Sequence, residues 1–266
     1  MDIDLSKITK QGKALFLAYD QGMEHGPTDF NEENVDPERV LAIADSGYFT
    51  GVILQKGIAE KYYASAGPSA TSSGPSGSAQ VHYKVPLIVK LNGKTNLVKD
   101  EDPYSPQVCS VQEALSYGAK AVGYTIYVGS EHEARMTEEF GKIEQEAEEA
   151  GIPVIAWMYP RGRNVPDGND PKVIAYAARV GLELGADIVK IPYTGDPASF
   201  KWVVQSAGRT KVVVMGGSKE PEEAFLERTR IVMEAGAIGL AVGRNVWQAE
   251  RPLAVAEKIA RIIWEH

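Results

Sequence analysis

Eight apolar, strand-like runs recur along the chain, separated by helical or turn-rich stretches, and this alternation limits the fold more than any other feature. The runs cover residues 14–19, 51–55, 86–91, 119–127, 153–158, 186–191, 212–215 and 238–242. Between them, helical periodicity predicts helices over 37–45, 131–150, 171–184, 221–235 and 252–263. Four of these five open on proline, which suits a first helical position because its missing N–H would have had no partner there. A glycine phrase recurs ahead of the strands: Ser46-Gly47, Tyr117-Gly118-Ala119, Ala150-Gly151, Leu184-Gly185-Ala186 and Ala235-Gly236-Ala237. There a glycine can take the left-handed conformation that stops a helix and turns the chain into a strand. Alternating βα units imply a parallel sheet, and eight strands predict an α/β chain closed into a (β/α)8 TIM barrel, a single domain over residues 1–266. An open doubly wound sheet gives a similar local pattern. It is disfavoured because no Gly-x-Gly-x-x-Gly follows the first strand and no P-loop lysine motif is present.

Residues 64–80, ASAGPSATSSGPSGSAQ, break the rhythm. Small residues and proline bury too little apolar area to offset the entropy of ordering, so a flexible loop is expected there. Its place in the βα order puts it on the face opposite the one where barrel enzymes gather their chemistry. A net charge of −8 opposes a nucleic-acid or anionic-membrane partner, although a local basic pocket can still hold phosphates. One cysteine, Cys109, permits no internal disulfide, and the start Met1-Asp2-Ile3-Asp4 lacks the features of a signal peptide. No apolar run reaches the roughly 18 to 20 residues needed to span a bilayer. A cytoplasmic location is expected.

The strand ends carry the chemistry. The run Ala186-Asp187-Ile188-Val189-Lys190-Ile191 bears a lysine near its C-terminal end, where a buried strand should be apolar throughout. Lys190 is therefore a candidate Schiff-base lysine, provided a dry pocket lowers its pKa; the plainer reading is a lysine snorkelling into solvent. Asp20, directly after the first run, can hold a lysine or move a proton, or simply cap a turn. Trp157 and Tyr159 lie two residues apart, hence on one face of the fifth strand and beside the sixth. A phenol at Tyr159 can serve as proton donor; alternatively, both rings are core filler. The seventh and eighth runs end in Met215-Gly216-Gly217 and Gly243-Arg244, where glycine backbone, a following helix N-terminus and a guanidinium would together suit a phosphate. With four histidines, His25, His82, His132 and His266, and no ligand-like spacing, a metal is not expected.

Five stretches together resemble the archaeal-type class I, or Schiff-base, fructose-bisphosphate aldolases. They are the phrase from Ala18 through Pro27, Lys90-Leu91-Asn92-Gly93-Lys94-Thr95, Trp157-Met158-Tyr159-Pro160-Arg161-Gly162, Val189-Lys190-Ile191-Pro192-Tyr193 and Gly243-Arg244-Asn245-Val246-Trp247-Gln248. The resemblance covers nearly the whole chain and departs at residues 64–80, which look longer than the family's connection. It implies metal-independent, reversible cleavage of fructose 1,6-bisphosphate to dihydroxyacetone phosphate and glyceraldehyde 3-phosphate, as in glycolysis and gluconeogenesis, with no cofactor beyond the lysine imine and, as the expected assembly, a homo-oligomer. By resemblance Lys190 would form the imine, Tyr159 would donate a proton and Asp20 would orient groups around the intermediates. Gly216, Gly217, Gly243 and Arg244 would hold one phosphate, His25 and Arg161 would sit towards the other, and Trp157 would shape the pocket. Gln21, Asp29 and Met215 complete the expected substrate-binding set. The alternatives are a related Schiff-base aldolase, transaldolase or thiolase for another sugar phosphate, and a phosphosugar-binding barrel without catalysis. Lys56, Lys90 and Lys94 are the rival lysines.

Overall fold

The computed structural model describes residues 3–26, 29–64, 82–99 and 101–265. Eight parallel strands close into a barrel in chain order: β1 (Ala14–Tyr19), β2 (Gly51–Gln55), β3 (Leu87–Lys90), β4 (Ala121–Val128), β5 (Val154–Pro160), β6 (Ile188–Ile191), β7 (Lys211–Met215) and β8 (Gly239–Val242), with β8 paired back to β1. Every strand overlaps an expected run. The loop expected over 64–80 lies, apart from Ala64, outside the described residues.

The helices form the outer ring. In chain order they are α1 (Gln21–His25), α2 (Pro37–Ala44), α3 (Lys56–Ile58) running into a π-helical turn at Ala59–Tyr63, α4 (Val111–Ser116), α5 (Glu133–Glu149), α6 (Pro171–Glu183), α7 (Pro197–Ser206), α8 (Glu222–Glu234), α9 (Arg244–Trp247) and α10 (Pro252–Glu265). Asp36, Asp170 and Asp196 each cap a helix that opens on proline, their carboxylates accepting the N–H of Glu38, Lys172 and Ser199. Sequence reasoning missed α7 although it carries this same Asp-Pro start, because Phe200 and Val203 alone make its buried stripe. The five glycines expected to end helices, Gly47, Gly118, Gly151, Gly185 and Gly236, all have φ between 65 and 101°.

Strand side chains alternate between two environments. Leu15, Leu17, Val52, Leu54, Val89, Val122, Val189 and Val214 face the helices and join their apolar stripes. Phe16, Ala18, Ile53, Ile88, Ala121, Ile155, Trp157, Ile188, Val213 and Ala241 fill the barrel interior. Gly123 makes room for the largest of these: a Cβ added there would lie 1.4 Å from Cζ3 of Trp157. The interior parity continues past this plug to Asp20, Lys90, Tyr127, Tyr159, Lys190 and Met215, so the residues facing the C-terminal mouth follow from the same period of two.

Candidate active site

A cavity of about 300 Å³ opens at that mouth, walled by strand ends and the loops after them. Lys190 stands at its floor, 5% exposed, with Nζ 5.1 Å from the centre of the Trp157 ring. The two residues are paired in register on β6 and β5. Burial against the indole disfavours the ammonium, and the charge of Lys90 adds to this. The carboxylates of Asp20 and Glu24 oppose the shift only in part, so the pKa falls from 10.5 to about 8. At neutral pH an appreciable fraction of Lys190 is the free amine, the form able to attack a carbonyl.

The neighbouring charges form a buried cluster. Lys90 ends β3 as Lys190 nearly ends β6, yet its fate is the opposite. Its side chain is 1% exposed, and its ammonium contacts Asp20 Oδ2 at 3.3 Å and donates a hydrogen bond to Glu24 Oε1. Although burial alone would lower the pKa of Lys90, these two carboxylates raise it well above the ordinary lysine value. Asp20 shows the complementary balance: burial pushes its pKa up, Lys90 and Lys190 outweigh burial, and the carboxyl is held below its usual range. The cluster thus contains one fixed cation, Lys90, and one lysine, Lys190, that readily gives up its proton.

Tyr159 lines the cavity on β5 beside Tyr127 of β4, to which it is paired in register. Burial first, then the charges of Asp20 and Glu24, hold the Tyr159 phenol well above 10, and the same causes push Tyr127 to about 12. Both phenols are therefore protonated at neutral pH and available as donors. The guanidinium of Arg161 lies 5.8 Å from the Tyr159 ring centre and 5.7 Å from that of Tyr127.

At the β7 and β8 ends, Met215, Gly216, Gly217, Gly243 and Arg244 line the same cavity. Gly217 has φ +70°, which an L side chain rarely adopts, so glycine is required for this turn. Arg244 is steadied at 3.5 Å by Asp29 Oδ1 and at 3.4 Å by the Gly217 carbonyl. After β8 the expected helix start follows at once, as the single-turn α9 begins at Arg244 directly after Gly243; after β7, α8 begins only at Glu222, so there the wall is bare backbone.

Eleven of the thirteen expected site residues line the cavity, all but Asp29 and Trp157. Trp157, fully buried, forms the floor under Lys190 and does not line the cavity. Asp29 sits behind Arg244 and accepts a hydrogen bond from His25 Nδ1 at 2.7 Å, tying His25 to the Arg244 side of the mouth. Arg161, expected towards the same phosphate as His25, lines the same cavity. Of the rival lysines, Lys56 pairs with Glu113 at 2.5 Å and is absent from the cavity wall, Lys90 is locked as a cation, and Lys94 lines the mouth with its Nζ donating to Thr95 O at 2.9 Å.

Sequence reasoning gave no role to Glu24, Tyr127 or Asn96, which also line the cavity. Glu24 carries a usable signal, lying four residues after Asp20 and so one helical turn along the same face. Tyr127 carries one too, an aromatic at the end of β4 in the parity of Tyr159. Among the described residues no group of three or more His, Cys, Asp or Glu side chains is arranged to hold a metal ion.

A family model described as DeoC/LacD family aldolase matches residues 14–249. A class 1 fructose-bisphosphate aldolase of Thermoproteus tenax is 48% identical over 96% of this chain and 91% of its own length. That of Halobacterium salinarum is 44% identical over 98% and 94%. A solved structure of an archaeal fructose-1,6-bisphosphate aldolase, with the catalytic Lys covalently bound to the carbinolamine intermediate of the substrate, superposes with a TM-score of 0.87. It is 47% identical, over 98% of this chain and 97% of the other.

Proposed function

The chain belongs to the class I fructose-bisphosphate aldolases of the DeoC/LacD aldolase family, and from this we propose the reaction its cavity carries out: reversible, Schiff-base cleavage of fructose 1,6-bisphosphate to dihydroxyacetone phosphate and glyceraldehyde 3-phosphate. The observation that carries the reading is Lys190, a buried strand-end amine with a pKa near 8 and with Asp20 and Tyr159 on the wall of the same cavity.

The free amine of Lys190 adds to the C2 carbonyl of the open-chain sugar, giving a carbinolamine. Asp20, held ionised, is the group that shuttles and orients protons as water leaves and the iminium forms. The iminium withdraws electrons from the C3–C4 bond, taking the part that a Lewis-acid metal plays elsewhere, and this is why the chemistry calls for no metal cofactor. As the C3–C4 bond breaks, the C4 hydroxyl gives up its proton to water at the mouth and the aldehyde departs; the phenol of Tyr159 then gives a proton to the enamine carbon and is re-protonated from water, and hydrolysis frees Lys190. Gly216, Gly217, Gly243 and Arg244 hold one phosphate, with Met215 and Gln21 beside them. Arg161 and Lys94 supply the remaining cations at the mouth.

No helix among the described residues is long and apolar enough to cross a membrane. A cytoplasmic enzyme acting in glycolysis and gluconeogenesis fits the lone cysteine and the substrate class, and a homo-oligomer is its proposed assembly. Borohydride reduction in the presence of dihydroxyacetone phosphate, followed by peptide mapping, tests the reading. The adduct should fall on Lys190, and an adduct on Lys90 or Lys94 would relocate the chemistry. Chelators should leave turnover intact.

A further inference from the structure

Gly216 and Gly217 present bare backbone to the cavity, and two side chains grip that backbone from behind. Arg228 of α8 donates from Nη2 to Gly216 O at 2.7 Å and from Nη1 to Met215 O at 3.3 Å, and Nη2 also bonds Glu220. Asn245 of α9 donates from Nδ2 to Gly216 O at 2.9 Å and to Ser218 O at 3.0 Å, while its Oδ1 accepts the N–H of Glu220 at 3.0 Å. The Gly216 carbonyl is therefore held twice, by a guanidinium and by an amide. In a trans peptide the C=O and the following N–H point in opposite directions, and the described chain has no cis bond. Holding Gly216 O from behind turns the Gly217 N–H towards the cavity.

We propose that Arg228 and Asn245 are positioning residues for phosphate recognition: they fix the Gly216–Gly217 peptide with its N–H facing the cavity before the ligand arrives, without touching the ligand. A donor fixed in advance costs no reorganisation when the anion binds. The ion pair with Glu220 fits this assignment, because it ties Arg228 behind the turn, off the cavity wall that Arg244 lines. The position of Arg228 fits as well. Its terminal nitrogens lie 3.6 and 3.7 Å from where a Gly217 Cβ would be, so the guanidinium packs directly against the turn it holds.

The inference rests on the aldolase reading for the identity of the phosphate ligand, so the two are tested by separate measurements. The variants are Arg228→Lys, which keeps the charge but loses the planar fork, and Asn245→Asp, which keeps the shape but turns a carboxylate oxygen towards two carbonyls. Calorimetry with inorganic phosphate should show Kd raised about tenfold or more in each, the size of one charge-assisted hydrogen bond lost. KM for fructose 1,6-bisphosphate should rise in parallel while kcat changes by less than about threefold. Borohydride trapping of unphosphorylated dihydroxyacetone on Lys190 should proceed as in the wild type. Unchanged phosphate affinity in both variants would overturn the proposal, as would an equal loss of dihydroxyacetone trapping or failure of both variants to fold. Absence of trapping on Lys190 in the wild type would instead overturn the aldolase reading, while phosphate calorimetry would still decide whether the pair sets the turn.

Discussion

Lys190 and Trp157 occupy paired positions on β6 and β5, and the amine of one lies 5.1 Å from the ring centre of the other. The indole floor excludes water from one side of the amine, so activation of the nucleophile and a cost in stability share one origin.

Lys190→Met should therefore abolish imine trapping and cleavage and also stabilise the fold at pH 7. A fall in pKa from 10.5 to about 8 corresponds to about 3 kcal/mol at roughly 1.4 kcal/mol per unit. The sign follows from proton counting. Between the folded and unfolded values the unfolded chain binds more protons, so wild-type stability rises with pH through that window. The advantage of the variant should be full below pH 8 and should shrink between about pH 8 and 10.5. Urea denaturation at pH 7 and pH 10 checks this, and a less stable variant at pH 7 would mean that Lys190 contributes packing that methionine cannot replace.

Imine formation should itself report the pKa of Lys190. Only the neutral amine attacks, so the single-turnover rate should climb with pH and level off above about 8. Because the charge of Lys90 helps to keep Lys190 neutral, the Lys90→Met/Glu24→Gln double variant, which removes the buried ion and its partner together, should move the inflection to higher pH. An inflection that stays in place would show that the opposing charges of Lys90 and Glu24 cancel at the Lys190 amine.

How far the site could be read in advance depended on how local its causes are. Lys190 was legible because one residue violates the apolar rule of its own strand, and the barrel because eight apolar runs recur and five of the helix-to-strand turns between them carry a glycine. Lys90 violates the same rule in Leu87-Ile88-Val89-Lys90, yet its opposite role depends on Glu24, 66 residues away in the chain. Arg228 looks like any surface arginine on a helix until α8 packs beside the β7 turn. Gly123 sits inside an apolar run and gives no sign that its missing side chain is filled by a ring from the next strand.

Tyr159→Phe should lower kcat by about 10²- to 10⁴-fold, the usual contribution of a positioned proton donor, while slowing imine formation far less. The phenol is held well above 10, so the loss should be level across the neutral range and should not track a titration near pH 7. Single-turnover trapping compared with steady-state turnover separates the two steps. A small and equal loss in both would make Tyr127, its paired neighbour, the donor to examine next.

Arg244→Ala should raise KM for phosphorylated substrates by roughly 10- to 100-fold, since a phosphate loses a charge-assisted contact worth about 1.5 to 3 kcal/mol. Dihydroxyacetone without its phosphate should be affected much less. Equal losses for both would assign Arg244 to holding the Gly217 turn through its 3.4 Å contact and not to the ligand.

Gly123→Ala tests the floor itself. A methyl group at this position would overlap the Trp157 ring, 1.4 Å from Cζ3 and 1.8 Å from Cη2, so either the ring tilts or β4 moves away from its neighbours. Overpacking of this kind costs about 1 to 3 kcal/mol and sometimes more. β4 is held in a closed barrel by ladders to β3 and β5, so the ring should yield first, and its displacement should disturb the Lys190 amine above it. The expected outcome is a destabilised enzyme whose imine formation is slower and whose pH inflection has shifted from about 8 towards the ordinary lysine value of 10.5. Adding Trp157→Leu removes the clash, so Gly123→Ala should cost far less stability in that background than in the wild type, a coupling that a double-mutant cycle measures directly. Equal costs in both backgrounds would show that Gly123 serves the backbone of β4 and not the fit of the indole.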